Sequence, residues 1–326
     1  REMAKISYGQ ALVDGMRESM EEDKSISLVG TNVLGLGPQR PLIETVRDNF
    51  PDRVFDPPCS EAGLASLGIG AAMAGARPII DFGVGSFSLL AWCQLVAEAG
   101  VAHHMSGGQI KVPMVFTMLH GLRGGGGGQH SHSPQAMLWN NPGIEIVVPS
   151  TPKDVKGLFK AAIASNNPTA IISHSRLLGC EGEVPEENYI IELGTGDIKR
   201  PGKDISLIAS SRSVVTALEA AELLFVDGIE AEIVDLRTLS PLDKNIIIES
   251  VTKTGRAIVI DETNESCGVA AEISAIISEA AFSSLKSPIK RISRPNVPVP
   301  ASPLLEECLD ITAEKIVTAA RESLES

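Results

Sequence analysis

Apolar residues recur along the chain in two alternating rhythms. Leu12, Val13, Met16 and Met20 fall at helical spacing, and the short run Ile26-Ser27-Leu28-Val29 closes at Gly30, which predicts a helix and then a strand. The same alternation continues with a helical stretch at 42–50, a small-residue helix at 61–75, a strand at 78–82 and a helix at 88–104. Strands at 113–119 and 145–149, a helix at 152–165 and a strand at 170–173 follow. Strands that alternate with helices predict an α/β fold with a largely parallel sheet covered on both faces.

The rhythm lapses over 179–202, where six acidic residues and two prolines replace the apolar periodicity. It then restarts as strand 205–209, helix 214–225, strand 231–235, helix 243–252, strand 257–260, helix 269–283 and strand 289–293. Two doubly wound, mostly parallel-sheet domains are therefore expected, at 1–185 and 201–326, joined by a linker at 186–200. The 326 residues of the chain suffice for two such cores.

Charge narrows the function classes. The chain has 28 basic and 41 acidic residues, a net charge of −13, and no basic run longer than the Lys199-Arg200 pair. It lacks the electrostatic footprint of a nucleic-acid or anionic-membrane binder. The uncharged run 62–76 falls short of the ~20 residues that span a bilayer. Five widely spaced cysteines form no CxxC pair, so neither a disulfide framework nor a zinc finger is indicated. A cytoplasmic location is expected, or an organelle matrix if a presequence has been removed ahead of Met3.

Three segments carry candidate chemistry. In Pro57-Pro58-Cys59-Ser60-Glu61, Ser60 is placed to cap the following helix and Glu61 to fall in its first turn. A carboxylate there is favoured by the helix dipole alone, or it exchanges a proton with a ligand at the end of a parallel sheet. Five glycines at 124–128 precede Gln129-His130-Ser131-His132, a flexible loop that delivers two histidines to a helix start. They are surface residues, acid/base groups, or a His-x-His zinc pair with no third ligand nearby in sequence. Gly63, Gly68, Gly70 and Gly75 mingle with five alanines in the 61–75 helix. Each interior glycine costs about 1 kcal/mol relative to alanine, so close packing within the chain or between subunits is expected there.

These features resemble one family. Ser60-Glu61 opening a Gly/Ala helix, His104-Met-Ser-Gly-Gly108, Gln129-His130-Ser131, Val148-Pro-Ser-Thr-Pro, Val234-Asp-Leu-Arg-Thr-Leu-Ser-Pro and Asn296-Val-Pro-Val-Pro300 are similar to β subunits of thiamine diphosphate-dependent 2-oxoacid dehydrogenases. Those subunits are the decarboxylating components of the pyruvate, branched-chain and acetoin complexes. The resemblance implies a pyrimidine-binding domain followed by a transketolase-type C-terminal domain. It implies that Glu61 hydrogen-bonds the aminopyrimidine of thiamine diphosphate and that Phe87 packs on that ring. Cys59 and Gly83 would line the ring, and His130 would face the 2-oxoacid substrate and the lipoyl arm as an acid/base group or an electrostatic stabiliser. Such a group contributes about 10²–10⁴-fold.

The chain contains no Gly-Asp-Gly, so the resemblance places magnesium and the diphosphate on a partner α subunit, in an α2β2 assembly with a second β chain. It further implies a structural potassium ion near Met114, Ala162, Ile163 and Asn167, although Ser165 stands where the family has aspartate. The acidic tail, with six acidic and two basic residues at 301–326, is either a solvated face or a dock for a lipoyl acyltransferase core. Other departures are Gly30-Thr31-Asn32-Val33 after the first strand, His132 in place of glutamine, and Gly85 in place of a bulkier residue. Together they suggest a roomier or differently polar substrate pocket. Non-oxidative acyl or ketol transfer and a non-catalytic scaffold are the rival readings.

Overall fold

The computed structural model describes residues 3–30 and 40–325. Thr31, Asn32 and Val33 of the first-strand motif lie outside the described residues. The chain divides into two compact units, Arg1–Gly121 with Gln129–Leu193, and Leu122–Gly128 with Gly194–Ser326.

The first unit contains β1 (Met3–Ser7), α1 (Tyr8–Glu22), β2 (Ile26–Val29), α2 (Arg40–Asn49), β3 (Val54–Phe55) and α3 (Glu61–Met73). It continues with β4 (Arg77–Val84), β5 (Met114–His120), β6 (Glu145–Val147), α4 (Pro152–Ala164), β7 (Pro168–His174) and β8 (Glu181–Pro185). Six of these strands form a sheet in the order β6-β7-β5-β4-β2-β3, and every pair is parallel. Both β5 and β7 are buried along their whole length, as strands covered on two faces must be, which is why they read as continuous apolar runs. Separately, β1 pairs antiparallel with β8.

One face is covered by α1 and α4. The two helices meet at Gly15, where a Cβ would be in ordinary contact, 3.5 Å from Phe159 and from the Lys156 carbonyl. Lys156 and Lys160, 6% and 4% exposed along their side chains, reach Glu18 at 2.7 and 3.1 Å. Burial raises the Glu18 carboxyl pKa, but hydrogen bonds and charge from the two lysines bring it below its ordinary value.

The single helix expected at 88–104 is three shorter pieces, a 3-10 segment at Gly85–Ala91, a π-turn at Gln94–Ala99 and a helical turn at Ala102–Met105. Packing dictates the break. A Cβ on Gly85 would lie 2.9 Å from Pro134, and Gly100 sits against Ile144 and the Pro142 carbonyl while its N–H reaches back to Leu95 O.

The second unit holds β9 (Asp197–Arg200), β10 (Ile205–Ala209), α5 (Arg212–Val226), β11 (Ala231–Asp235), β12 (Thr238–Ser240) and α6 (Lys244–Thr254). Next come β13 (Ala257–Asn264), α7 (Val269–Ala281), β14 (Lys290–Arg294) and α8 (Ala313–Glu325). The sheet order is β14-β13-β10-β11-β9, parallel except for the edge strand β9. Its core joins Leu207, Ile233 and Ile260 of the sheet to Val214, Leu224 and Ile316 of α5 and α8. The expected fold class, two mostly parallel α/β domains, is the observed one. Among the described residues no single helix is long and apolar enough to cross a membrane.

Candidate active site

In the first unit the chain leaves β2 for β3 on one side and returns through α3 to β4 on the other. The direction of winding reverses at β2, and ligands of open α/β sheets bind outside the carboxyl ends of strands at such a reversal. Gly30, which follows β2, has φ +119°, and a Cβ there would lie 2.5 Å from the Asp81 carbonyl oxygen. Only glycine lets the end of β2 lie this close to β4.

Buried Asp81 shapes the end of β4. Its Oδ1 accepts the Gly83 N–H at 2.9 Å, Gly83 takes φ +75°, and the register with β5 shifts between Asp81 and Val84. The strand is thereby turned into the Gly85–Ala91 segment that carries Phe87. Gly83 is buried inside this bulge.

Phe87 and His130 are brought together. Their rings meet edge to face, with centroids 5.6 Å apart and planes at 72°. Beneath the pair, Ser86 Oγ donates to the Gln129 carbonyl, and Ser88 Oγ donates to the Gly85 carbonyl at 2.6 Å. Phe87 is half-buried and His130 is exposed. Gly85 does not open the pocket as its small size suggests, because Pro134 and the His132 carbonyl occupy the place of a side chain.

Glu61 is the first residue of α3 and half-buried, and its carboxylate forms no hydrogen bond to another described residue. Ser60 stands at the N-cap, but its hydroxyl makes no capping bond. That oxygen instead lies over Gly63, 3.0 Å from where a Cβ would be. Cys59 is exposed just ahead of the helix. The side of α3 packs on the 3-10 segment that bears Phe87.

A polar cluster behind the histidine loop escaped the sequence reading. His120 ends β5 and is fully buried, with Nδ1 accepting from Gln135 Nε2 at 3.0 Å and lying 3.2 Å from Ser133 Oγ. Its ring meets His174, the last residue of β7, at 5.0 Å and 83°. The signal was a histidine at the end of each of two adjacent strands, in register with one another.

Met114 opens β5, Ala162 and Ile163 lie in the last turn of α4, and Asn167 precedes β7. Here Arg77 Nη1 donates to the carbonyls of Ile163 and Ser165 at 2.9 and 2.7 Å, and Nη2 donates to Asn166 Oδ1 at 3.0 Å. The Asn167 amide donates to Glu145 at 2.9 Å. Among the described residues no group of three His, Cys, Asp or Glu side chains could hold a metal ion, so the His130-x-His132 pair has no third ligand there.

Residues 4–180 match the family described as the transketolase pyrimidine binding domain, and residues 194–316 match the transketolase C-terminal domain. The 2-oxoisovalerate dehydrogenase subunit beta of Bacillus subtilis is 38% identical over 99% of this chain and 100% of its own. The acetoin:2,6-dichlorophenolindophenol oxidoreductase subunit beta of the same organism is 38% identical over 98% of this chain and 97% of its own. The mitochondrial pyruvate dehydrogenase E1 component subunit beta of Dictyostelium discoideum is 33% identical over 97% and 90%. The chain belongs to the 2-oxoacid dehydrogenase β-subunit family. It shares its fold with a split-gene transketolase, an inactive beta4 tetramer, at TM-score 0.79 and 22% identity over 98% of this chain and 99% of that one. The family depends on thiamine diphosphate, and a β subunit has an α partner.

Proposed function

We propose that this chain is the β half of a 2-oxoacid dehydrogenase-type decarboxylase, which oxidatively decarboxylates a 2-oxoacid and passes the acyl group to lipoamide. The observation that carries the reading is Glu61, a half-buried carboxylate without a hydrogen-bond partner among the described residues, at the start of α3 beside a winding reversal. These residues fit the pyrimidine half of thiamine diphosphate. Bound, the cofactor supplies a nucleophilic carbon and a sink for the electrons left when carbon dioxide departs.

This chain's own residues divide the work. Glu61 holds a proton against a pyrimidine ring nitrogen, Phe87 offers an apolar wall to the ring, and Gly83 and Cys59 line its edges. His130, exposed on the Phe87 edge, exchanges a proton with the substrate oxygen. In this reading the α subunit holds magnesium and the diphosphate, in an α2β2 assembly with a second β chain, and the lack of a Gly-Asp-Gly in this chain supports it. Docking of a lipoyl acyltransferase core on the acidic tail draws less support, because Glu306 is fully buried and Asp310 is paired with Arg212 at 3.0 Å. For potassium the fit is poor, since the Arg77 guanidinium already sits on the Ile163 and Ser165 carbonyls, and no potassium-dependent step enters this reading. Five exposed cysteines without a disulfide support a reducing compartment, the cytoplasm or an organelle matrix.

The test is reconstitution with the cognate α subunit, reading carbon dioxide release and acylation of a lipoyl domain. Glu61→Gln should abolish both while the circular dichroism spectrum stays unchanged, and near-normal turnover in that variant would overturn the assignment. A second reading, cleavage of acetoin in place of a 2-oxoacid, draws on the name of the Bacillus subtilis relative. Offering both compounds to the same assembly distinguishes the two.

A further inference from the structure

Five consecutive glycines at 124–128 have more backbone freedom than any other stretch of this chain, yet the first two have a dedicated partner. Glu306 Oε1 accepts the Gly124 N–H at 2.6 Å and Oε2 accepts the Gly125 N–H at 2.7 Å. Glu306 lies in the helical turn Pro303–Glu307 and is 0% exposed. Arg123 and Arg294 both lie within electrostatic reach of this carboxylate.

Sterics select glycine at position 125. Gly125 has φ +108°, and a Cβ there would lie 3.2 Å from the Ala301 carbonyl oxygen and 3.5 Å from Pro303. A Cβ on Gly127 would meet Ala301 at 3.6 Å. The glycine run therefore rests on residues 301–303, and all of these groups belong to the second unit. Two residues beyond Gly128 the chain reaches His130.

Hydrogen bonds to an ionised acceptor are about twice as strong as neutral ones, and two bonds to consecutive amides restrain the backbone between them. Nothing about the acid chemistry of a 2-oxoacid requires a carboxylate at position 306; fixing an otherwise mobile backbone does.

We infer that Glu306 is a positioning residue, a carboxylate clamp on Gly124 and Gly125 that holds the glycine run and thereby sets where the chain delivers His130. The inference rests on the role proposed above for His130. In the reconstituted enzyme, Glu306→Gln should lower kcat by about 10–100-fold with KM for the 2-oxoacid changed less than about twofold, because a small displacement of a reacting group costs on this scale. In a His130→Ala background the same substitution should cost less than about twofold more, since a residue that acts through His130 has nothing left to position.

A second readout does not depend on turnover. The Arg123-Gly124 bond is a trypsin site, and release of the clamp should speed its cleavage in the assembled enzyme by at least about tenfold. If Glu306→Gln folds poorly by near-ultraviolet circular dichroism, Glu306→Asp, which keeps the charge, should move both readouts the same way by less. Fully multiplicative losses in the double variant, or unchanged cleavage after Arg123, would overturn the clamp. Full turnover by His130→Ala alone would overturn the role of His130 and the catalytic half of the inference, while the cleavage rate still reports on the clamp itself.

Discussion

Gly121 closes β5 with φ +84°, and a Cβ there would stand 2.0 Å from His174 Nε2 and 2.3 Å from Cδ2. In Gly121→Ala the left-handed backbone costs about 1–2 kcal/mol. The imidazole must also retreat by more than about 1 Å, an overpacking cost of about 1–3 kcal/mol. His174 is fully buried, its Nδ1 accepts the Arg176 N–H at 3.0 Å and its ring packs on His120, so a retreat loses a further bond of about 1 kcal/mol. A total destabilisation of about 3–6 kcal/mol is expected. Gly107 provides the control, with φ +63° and nothing within 4 Å of an added Cβ, so that Gly107→Ala incurs only the backbone cost. At about 2–4 °C per kcal/mol for a domain of this size, Gly121→Ala should melt about 5–15 °C below Gly107→Ala. Thermal melts of the two purified variants, followed by circular dichroism, measure the difference. Melting within about 2 °C of one another would refute the steric argument for His174.

Two further outcomes follow from charges already placed. Glu18→Gln leaves Lys156 and Lys160 short of their shared partner. It should cost about 2–4 kcal/mol at pH 7, at and below the lower end of the range for a broken buried pair, because Glu18 is partly solvated and Lys160 keeps Glu22 at 3.6 Å. A lowered carboxyl pKa contributes stability that is present above the unfolded-state value and is lost as pH falls through the folded one, so wild type should weaken below about pH 4 in a way that Glu18→Gln does not; parallel denaturation midpoints from pH 7 to 3 would contradict this. Because Arg77 occupies the Ile163 and Ser165 carbonyls, exchanging potassium for sodium at constant ionic strength should move the melting temperature by less than about 1 °C, and a shift of several degrees would show a bound cation.

Local rhythm made the strands and the long helices readable, because their burial is periodic. Glu61 at the head of a small-residue helix was legible for the same reason. The break of 88–104 into 3-10, π and α pieces was not, because it is imposed by Pro134, Pro142 and Ile144, residues remote in sequence from the helix they interrupt. The histidine loop announced itself through its glycines, but the contact of His130 with Phe87 and the Asp81 bulge that turns Phe87 toward it are tertiary facts. His120 and His174 were hidden by their ordinary position at strand ends, and β1 by a partner strand at the far end of its domain. Glu306 read as one acid among six in a solvated tail; only the fold turns it inward.

The Glu306 clamp also has a timetable. Its two halves, Gly125 and Glu306, are 181 residues apart in the chain. At synthesis rates of about 5–20 residues per second the glycine run waits on the order of 10–40 s after it is made before its anchor exists. For most of that interval, once β7 has been made, the strands of the first domain are present while the loop remains unsecured. A stalled or truncated product ending before residue 306 would lack the carboxylate of the clamp, and its glycine run should be cleaved after Arg123 faster than that of the completed chain.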